Sequence, residues 1–108
     1  MKKLLFLFFT VIPTCILSIE QMAKAWALSQ NAQPGDRITC RMFHDPQDDP
    51  DFILANCSVP VGNGVITYVF GNDTPGEHWI DLGVAPLDEE EYVFLEERHF
   101  DLTNDDVL

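Results

Sequence analysis

With 108 residues the chain has room for one domain, and its eighteen acidic against six basic residues set a formal charge of −12. A field of that sign repels phosphate backbones and anionic headgroups, which argues against nucleic-acid binding and electrostatic membrane association. Basic proteins or peptides and divalent cations remain open as partners.

Lys2 and Lys3 precede an uncharged run over 4–19, interrupted by Pro13 and ended by Glu20. A basic start before an apolar stretch is the pattern of a secretory signal peptide, and the run falls short of the ~20 apolar residues that cross a bilayer. Two small-x-small sites follow, Ala23-Lys24-Ala25 and Ala25-Trp26-Ala27, matching the shallow pockets of signal peptidase. They predict a signal over 1–25, cleaved after Ala25 or Ala27, and an exported protein, periplasmic or extracellular, with no membrane contact after cleavage. Cys15 lies in the run, but Ile12-Pro13-Thr14 before it lacks the small residues of a lipid-attachment site. From Trp26 onward the chain carries three arginines, seventeen acidic residues and no lysine, a charge of −14.

Two cysteines remain in that part, Cys40 and Cys57, and an oxidising compartment joins them. A domain this small buries little apolar surface, so closing a loop of about this length, worth roughly 3 kcal/mol in the chain-entropy model, is a large share of its stability.

In chain order, residues 28–36 are polar, lack a hydrophobic period and contain Pro34-Gly35, which predicts a flexible N-terminal arm over 26–36. The β-compatible runs 37–43 and 52–59 flank His44-Asp45-Pro46-Gln47-Asp48-Asp49-Pro50-Asp51, a tip made of turn formers, and so predict a hairpin. Cys40 opposite Cys57 fixes its register: partners have numbers summing to 97, which collects Ile38, Val59, Met42, Ala55, His44 and Ile53 on one largely apolar face. Phe43 opposite Leu54 is an apolar pair on the other, polar face. Residues 65–70, Val-Ile-Thr-Tyr-Val-Phe, predict a central strand, and 78–82 a short one with Trp79 and Asp81 opposite His78, Ile80 and Leu82. Residues 88–102 are ambiguous. Asp88 and Glu91 make a capping box, whereas Tyr92-Val93-Phe94-Leu95 favours a strand, the preferred reading. The expected fold is all-β, a small antiparallel sheet or partly open barrel of about five strands with one disulfide over 37–103, the alternative being α+β with a C-terminal helix at 88–102. Residues 104–108 are expected to be a tail.

Asp45, Asp48, Asp49 and Asp51 gather hard oxygen ligands of the kind Ca²⁺ takes, but the tip lacks the alternating spacing and central glycine of an EF-hand loop. The chain has no Gly-x-Ser-x-Gly elbow, no free thiol after residue 25 once the disulfide forms and no paired zinc-ligand spacing, so neither an enzyme nor a bound cofactor is expected. The favoured reading is an exported binding protein for a basic protein or peptide. Asp45, Asp48, Asp49 and Asp51 form its contact patch, and Phe43 and Trp79 are further candidates. A Ca²⁺-dependent structural module using the 45–51 tip is the alternative. In outline (exported, of this length, mostly β, acidic, with one disulfide) the chain resembles the periplasmic inhibitors of animal-type lysozyme. Their Ser-Gly pair shortly before an exposed Tyr is absent, so no site residue carries over.

Overall fold

A computed structural model describes residues 18–47, 52–72, 79–83 and 87–107. One helix, α1 (Ile19–Ser29), precedes five strands: β1 (Arg37–His44), β2 (Ile53–Val61), β3 (Gly64–Asn72), β4 (Trp79–Gly83) and β5 (Val93–Asp101). They form one open antiparallel sheet in the order β4-β3-β2-β1-β5. The first four strands therefore follow one another as a meander, after which the chain crosses to the opposite edge and adds β5 beside β1.

The hairpin register is the one that Cys40 opposite Cys57 demands. Thr39 pairs with Ser58, Arg41 with Asn56, Met42 with Ala55, Phe43 with Leu54 and His44 with Ile53. The two cysteines are joined by a disulfide between directly opposed strand positions, both fully buried. On β3, Ile66, Tyr68 and Phe70 lie opposite Val59, Cys57 and Ala55, so one apolar face extends across three strands. Segment 88–102 resolves as a strand: Asp88 caps only a single 3₁₀ turn, Glu89–Glu91, before β5 begins. Val93 and Phe94, β-branched and aromatic, lose less side-chain freedom in a strand than in a helix, and β1 offers them an edge to pair with.

Against this apolar face packs α1, where a flexible arm over 26–36 was expected. Ser18 caps the helix: its hydroxyl accepts from the Gln21 backbone N–H (3.1 Å), and the Gln21 side chain accepts from the Ser18 N–H (2.9 Å). Ile19, Ala23, Trp26 and Ala27, at the i, i+4, i+7 and i+8 positions of one helical stripe, are buried in the main core with Ile38, Met42, Val59 and Phe70. Asn31 then takes the left-handed conformation (φ 74°), and Ala32 N–H and Asn31 N–H bond back to the carbonyls of Ala27 and Leu28, a Schellman ending. Residues 33–36 close a turn in which the Asp36 carboxylate accepts from Gln33 N–H at 2.9 Å. Both small-x-small sites thus lie within the helix, and Ala23 and Ala27 are fully buried against the sheet. Among the described residues no helix is long and apolar enough to cross a membrane.

The C-terminal segment is likewise tied down rather than a loose tail. Leu102 is buried and its N–H donates to the Asp36 carbonyl, while 104–107 form a 3₁₀ turn. Asp106 accepts from the Thr103 N–H (2.8 Å) and pairs with Lys24 of α1 (3.2 Å), linking the two ends of the domain. The Thr103 N–H, and after it the Lys24 ammonium, hold the Asp106 carboxyl below the ordinary carboxylate range. A carboxyl depressed by folding stabilises above its unfolded pKa, and that contribution is lost as pH falls through the folded value. Asp106→Asn is accordingly expected to lower the melting temperature modestly at neutral pH. Thermal melts of both proteins should draw together as pH falls below about 4, where the unfolded carboxyl titrates, and coincide only below the depressed folded value.

Candidate functional site

The second face of the sheet carries Arg37, Thr39 and Arg41 on β1, and the 3₁₀ turn Glu89–Glu91 ahead of β5 lies against it. Arg41 fixes it there. Its guanidinium donates to Glu89 (3.1 Å) and to Glu97 of β5 (2.7 Å), and Asn56 of β2 donates to the other Glu89 oxygen (2.8 Å). The hydrogen bond to Glu97 comes first among the causes that raise the Arg41 pKa. The same guanidinium stands 4.6 Å from the Phe94 ring centroid, and Phe94 meets Phe43 edge-on at 5.6 Å. This is a closed ion-pair and cation–π cluster, its hydrogen-bonding groups turned on one another rather than on a ligand.

Phe43, singled out from sequence for standing on the polar face, is 1% exposed inside that cluster and presents nothing to a partner. Leu54 and Val69 are buried beside it, and Gly71 leaves room for the side chains of Leu82 and Phe52: a Cβ there would stand 2.9 Å from Leu82 Cδ1 and 3.0 Å from Phe52 Cζ. Trp79 pairs with Asn72 and packs half-buried on the main core; its Nε1 is buried without an acceptor among the described residues. At the hairpin tip the Asp45 carboxylate accepts from the Gln47 N–H at 2.9 Å. Asp48, Asp49 and Asp51, and with them the Ca²⁺ reading of the tip, lie outside the described residues. Among the described residues no three His, Cys, Asp or Glu side chains gather closely enough to hold a metal ion.

Charge is distributed unevenly between what is paired and what is not. Lys24 is held by Glu20 and Asp106, Arg37 by Asp101 (2.8 Å), Arg41 by Glu89 and Glu97, and Arg98 by Glu96 (3.0 Å). Every described cation is thus neutralised within the chain. Asp81, Asp88, Glu90, Glu91 and Asp105 have no cationic partner among the described residues.

Sequence reasoning missed one further feature because it requires the helix. Beside α1, on the helix-covered face, runs a groove with two hollows of about 300 and 340 Å³ that share Trp26, Gln30 and Tyr68. Ile66 and Thr67 complete the first; Met22, Phe70 and Asp81 help to line the second. The Trp26 and Tyr68 rings lie 5.6 Å apart and tilted by 30°, and Tyr68 stands 5.1 Å from Phe70. Comparison with protein-family profiles, curated proteins and solved structures finds no match to this chain.

Proposed function

We propose that this is an exported binding module for a basic protein or peptide, acting through its acidic surface and without catalysis. The observation that carries the reading is the internal pairing of every described cation, which leaves Asp81, Asp88, Glu90, Glu91 and Asp105 with no cationic partner among the described residues. A charge near −14 also exceeds the magnitude of roughly 2–8 that suffices to keep a small domain soluble. The disulfide is consistent with an oxidising compartment, periplasmic or extracellular. Contacts are assigned to the aspartates of the tip, Asp45, Asp48, Asp49 and Asp51, joined by Glu90 and Glu91.

Opposite fields steer association and are screened over a Debye length of about 8 Å at physiological ionic strength, so affinity for an arginine-rich peptide should fall steeply as salt rises. The control is the same chain reduced, alkylated and unfolded, which has the same carboxylates without their arrangement. The folded domain is expected to bind at least several-fold more tightly. Equal affinity of the unfolded chain, or no binding at low salt, would overturn the reading. Calorimetric titration with Ca²⁺ completes the comparison: heat that disappears in Asp48→Asn/Asp49→Asn, with no salt-sensitive peptide binding, would replace it by a Ca²⁺ module.

A further inference from the structure

We infer that the groove beside α1 seats an arginine side chain of the basic partner, its guanidinium resting on the Trp26 and Tyr68 rings and facing the Asp81 carboxylate. The inference rests on the basic-partner reading and adds the place where one side chain of that partner is recognised.

Three features of the groove select a cation. Trp26 and Tyr68 line both hollows with their rings 5.6 Å apart, Phe70 backing them from the core, and the face of an aromatic ring attracts positive charge, tryptophan most strongly. Asp81 enters from β4, directly opposite Phe70 in the sheet register, and is exposed. Among the described residues it has no cationic partner, since Lys24, the basic residue of the adjoining helix, is spent on Glu20 and Asp106. Gln30 and Thr67 add neutral groups able to accept from N–H donors at the rim.

The groove also limits what the cation can be. Hollows of about 300 and 340 Å³ lie at the bottom of the range for small-molecule pockets, so they suit a side chain and its adjoining backbone better than a large ligand. Among cations a guanidinium stacks flat on an aromatic ring while its fork meets a carboxylate, which a spherical ammonium cannot do. The protein already holds one guanidinium in this way on the opposite face, where Arg41 lies 4.6 Å from the Phe94 centroid and pairs with Glu89 and Glu97. Around Trp26, Tyr68 and Asp81 the same chemistry is set out with the arginine to come from elsewhere.

The test is ¹⁵N chemical-shift titration of the folded, disulfide-bonded protein at low salt, with acetyl-Gly-Arg-Gly-amide and the citrulline peptide of the same shape and no charge. The Trp26 indole N–H, distinguished from that of Trp79, and the amides of Gln30, Tyr68 and Asp81 should move with the arginine peptide and stay in place with citrulline. Asp81→Asn, an exposed change on an edge strand, should weaken the arginine peptide about fivefold, as loss of one partly exposed charge pair implies. Gln30→Arg should abolish binding at the groove by placing a guanidinium at its mouth. Shifts confined to the 45–51 tip or to 88–91 would overturn the groove while leaving the basic-partner reading in place, and equal shifts with citrulline would overturn the role of charge. No shift with either peptide, together with no binding of the arginine-rich peptide, would remove both.

Discussion

Replacing Cys40 and Cys57 together by alanine is expected to cost about 3 kcal/mol, the chain-entropy value for a loop of this size. The two residues are seventeen positions apart and pair directly across β1 and β2. In a domain of this size that loss corresponds to a fall in melting temperature on the order of 10–20 °C. Alanine is the better replacement than serine here, because both positions are fully buried among Ile38, Met42, Ala55 and Val59, and a hydroxyl would be left there without a partner. Wild-type protein with reductant separates the two components of the effect: reduction removes the cross-link and keeps the sulfur atoms in the core, whereas the alanine pair removes both. The reduced protein should therefore melt above the double variant and well below the oxidised protein. Thiol counting on the folded protein should find neither cysteine free. A double variant melting within a few degrees of wild type would show that the hairpin is held by its packing alone.

The sheet was legible because two independent signals agree on it. Apolar alternation in 37–43 and 52–59 defines a buried face, and the cysteine pair fixes the register that keeps that face intact, so a slip by one residue is excluded by both. Segment 88–102 was harder: its capping residues and its β-formers are both used, the first for one turn at Glu89–Glu91 and the second for β5. What alternation cannot show is where an added strand breaks step. Leu95 and Leu82 each fall at a register shift, so Met42 pairs with Glu96 while Phe43 pairs with Phe94, and Val69 pairs with Gly83 while Phe70 pairs with Asp81. The first shift brings Phe94 over Phe43, which is why an apolar residue on the polar face is packed rather than displayed. Bulges at both sheet edges, together with the charged pairs Glu96–Arg98 on β5 and Arg37–Asp101 across β1 and β5, also discourage edge-to-edge association, although Val93, Phe94 and Leu95 are exposed there.

The helix escaped notice for a different physical reason. Ile19, Met22, Ala23, Trp26 and Ala27 follow helical spacing, but they straddle the end, at Glu20, of an apolar run whose basic start matches an export signal. Alanine at 23 and 27 is compatible with two demands, whereas Ala25 is exposed. Small side chains suit the pockets of signal peptidase, and they also let a helix lie close against a sheet. The burial of Ala23 and Ala27 shows that the second demand operates here. Missing α1 also meant missing the groove, since Trp26 and Gln30 belong to it.

Truncation separates these demands and carries the largest expected effect after the disulfide. A chain beginning at Leu28 lacks Ile19, Met22, Ala23, Trp26 and Ala27, and uncovers the apolar face formed by Cys40, Met42, Val59 and Phe70. Burial of Ile19 and Trp26 alone is worth about 1.5–3 kcal/mol each, against a net stability of roughly 5–15 kcal/mol for an ordinary domain. A chain beginning at Trp26 keeps the indole but leaves only four residues of α1, too few for a helix to hold itself together. The ion pair between Lys24 and Asp106 is lost in both, which removes the link from α1 to the C-terminal turn. The chain from Leu28 is therefore expected to show no cooperative thermal transition and to bind a hydrophobic dye, the chain from Trp26 to melt far below the chain from Ser18, and the last to unfold in one step. The comparison bears on export too, because cleavage after Ala25 or Ala27 would yield the two unstable chains, whereas cleavage ahead of Ile19 would leave the core whole. Intact mass of protein recovered from outside the cytoplasm is expected to include Ile19–Ser29. A chain from Leu28 that melts cooperatively within a few degrees of the chain from Ser18 would show instead that α1 adds little to the core and that processing inside it is tolerated.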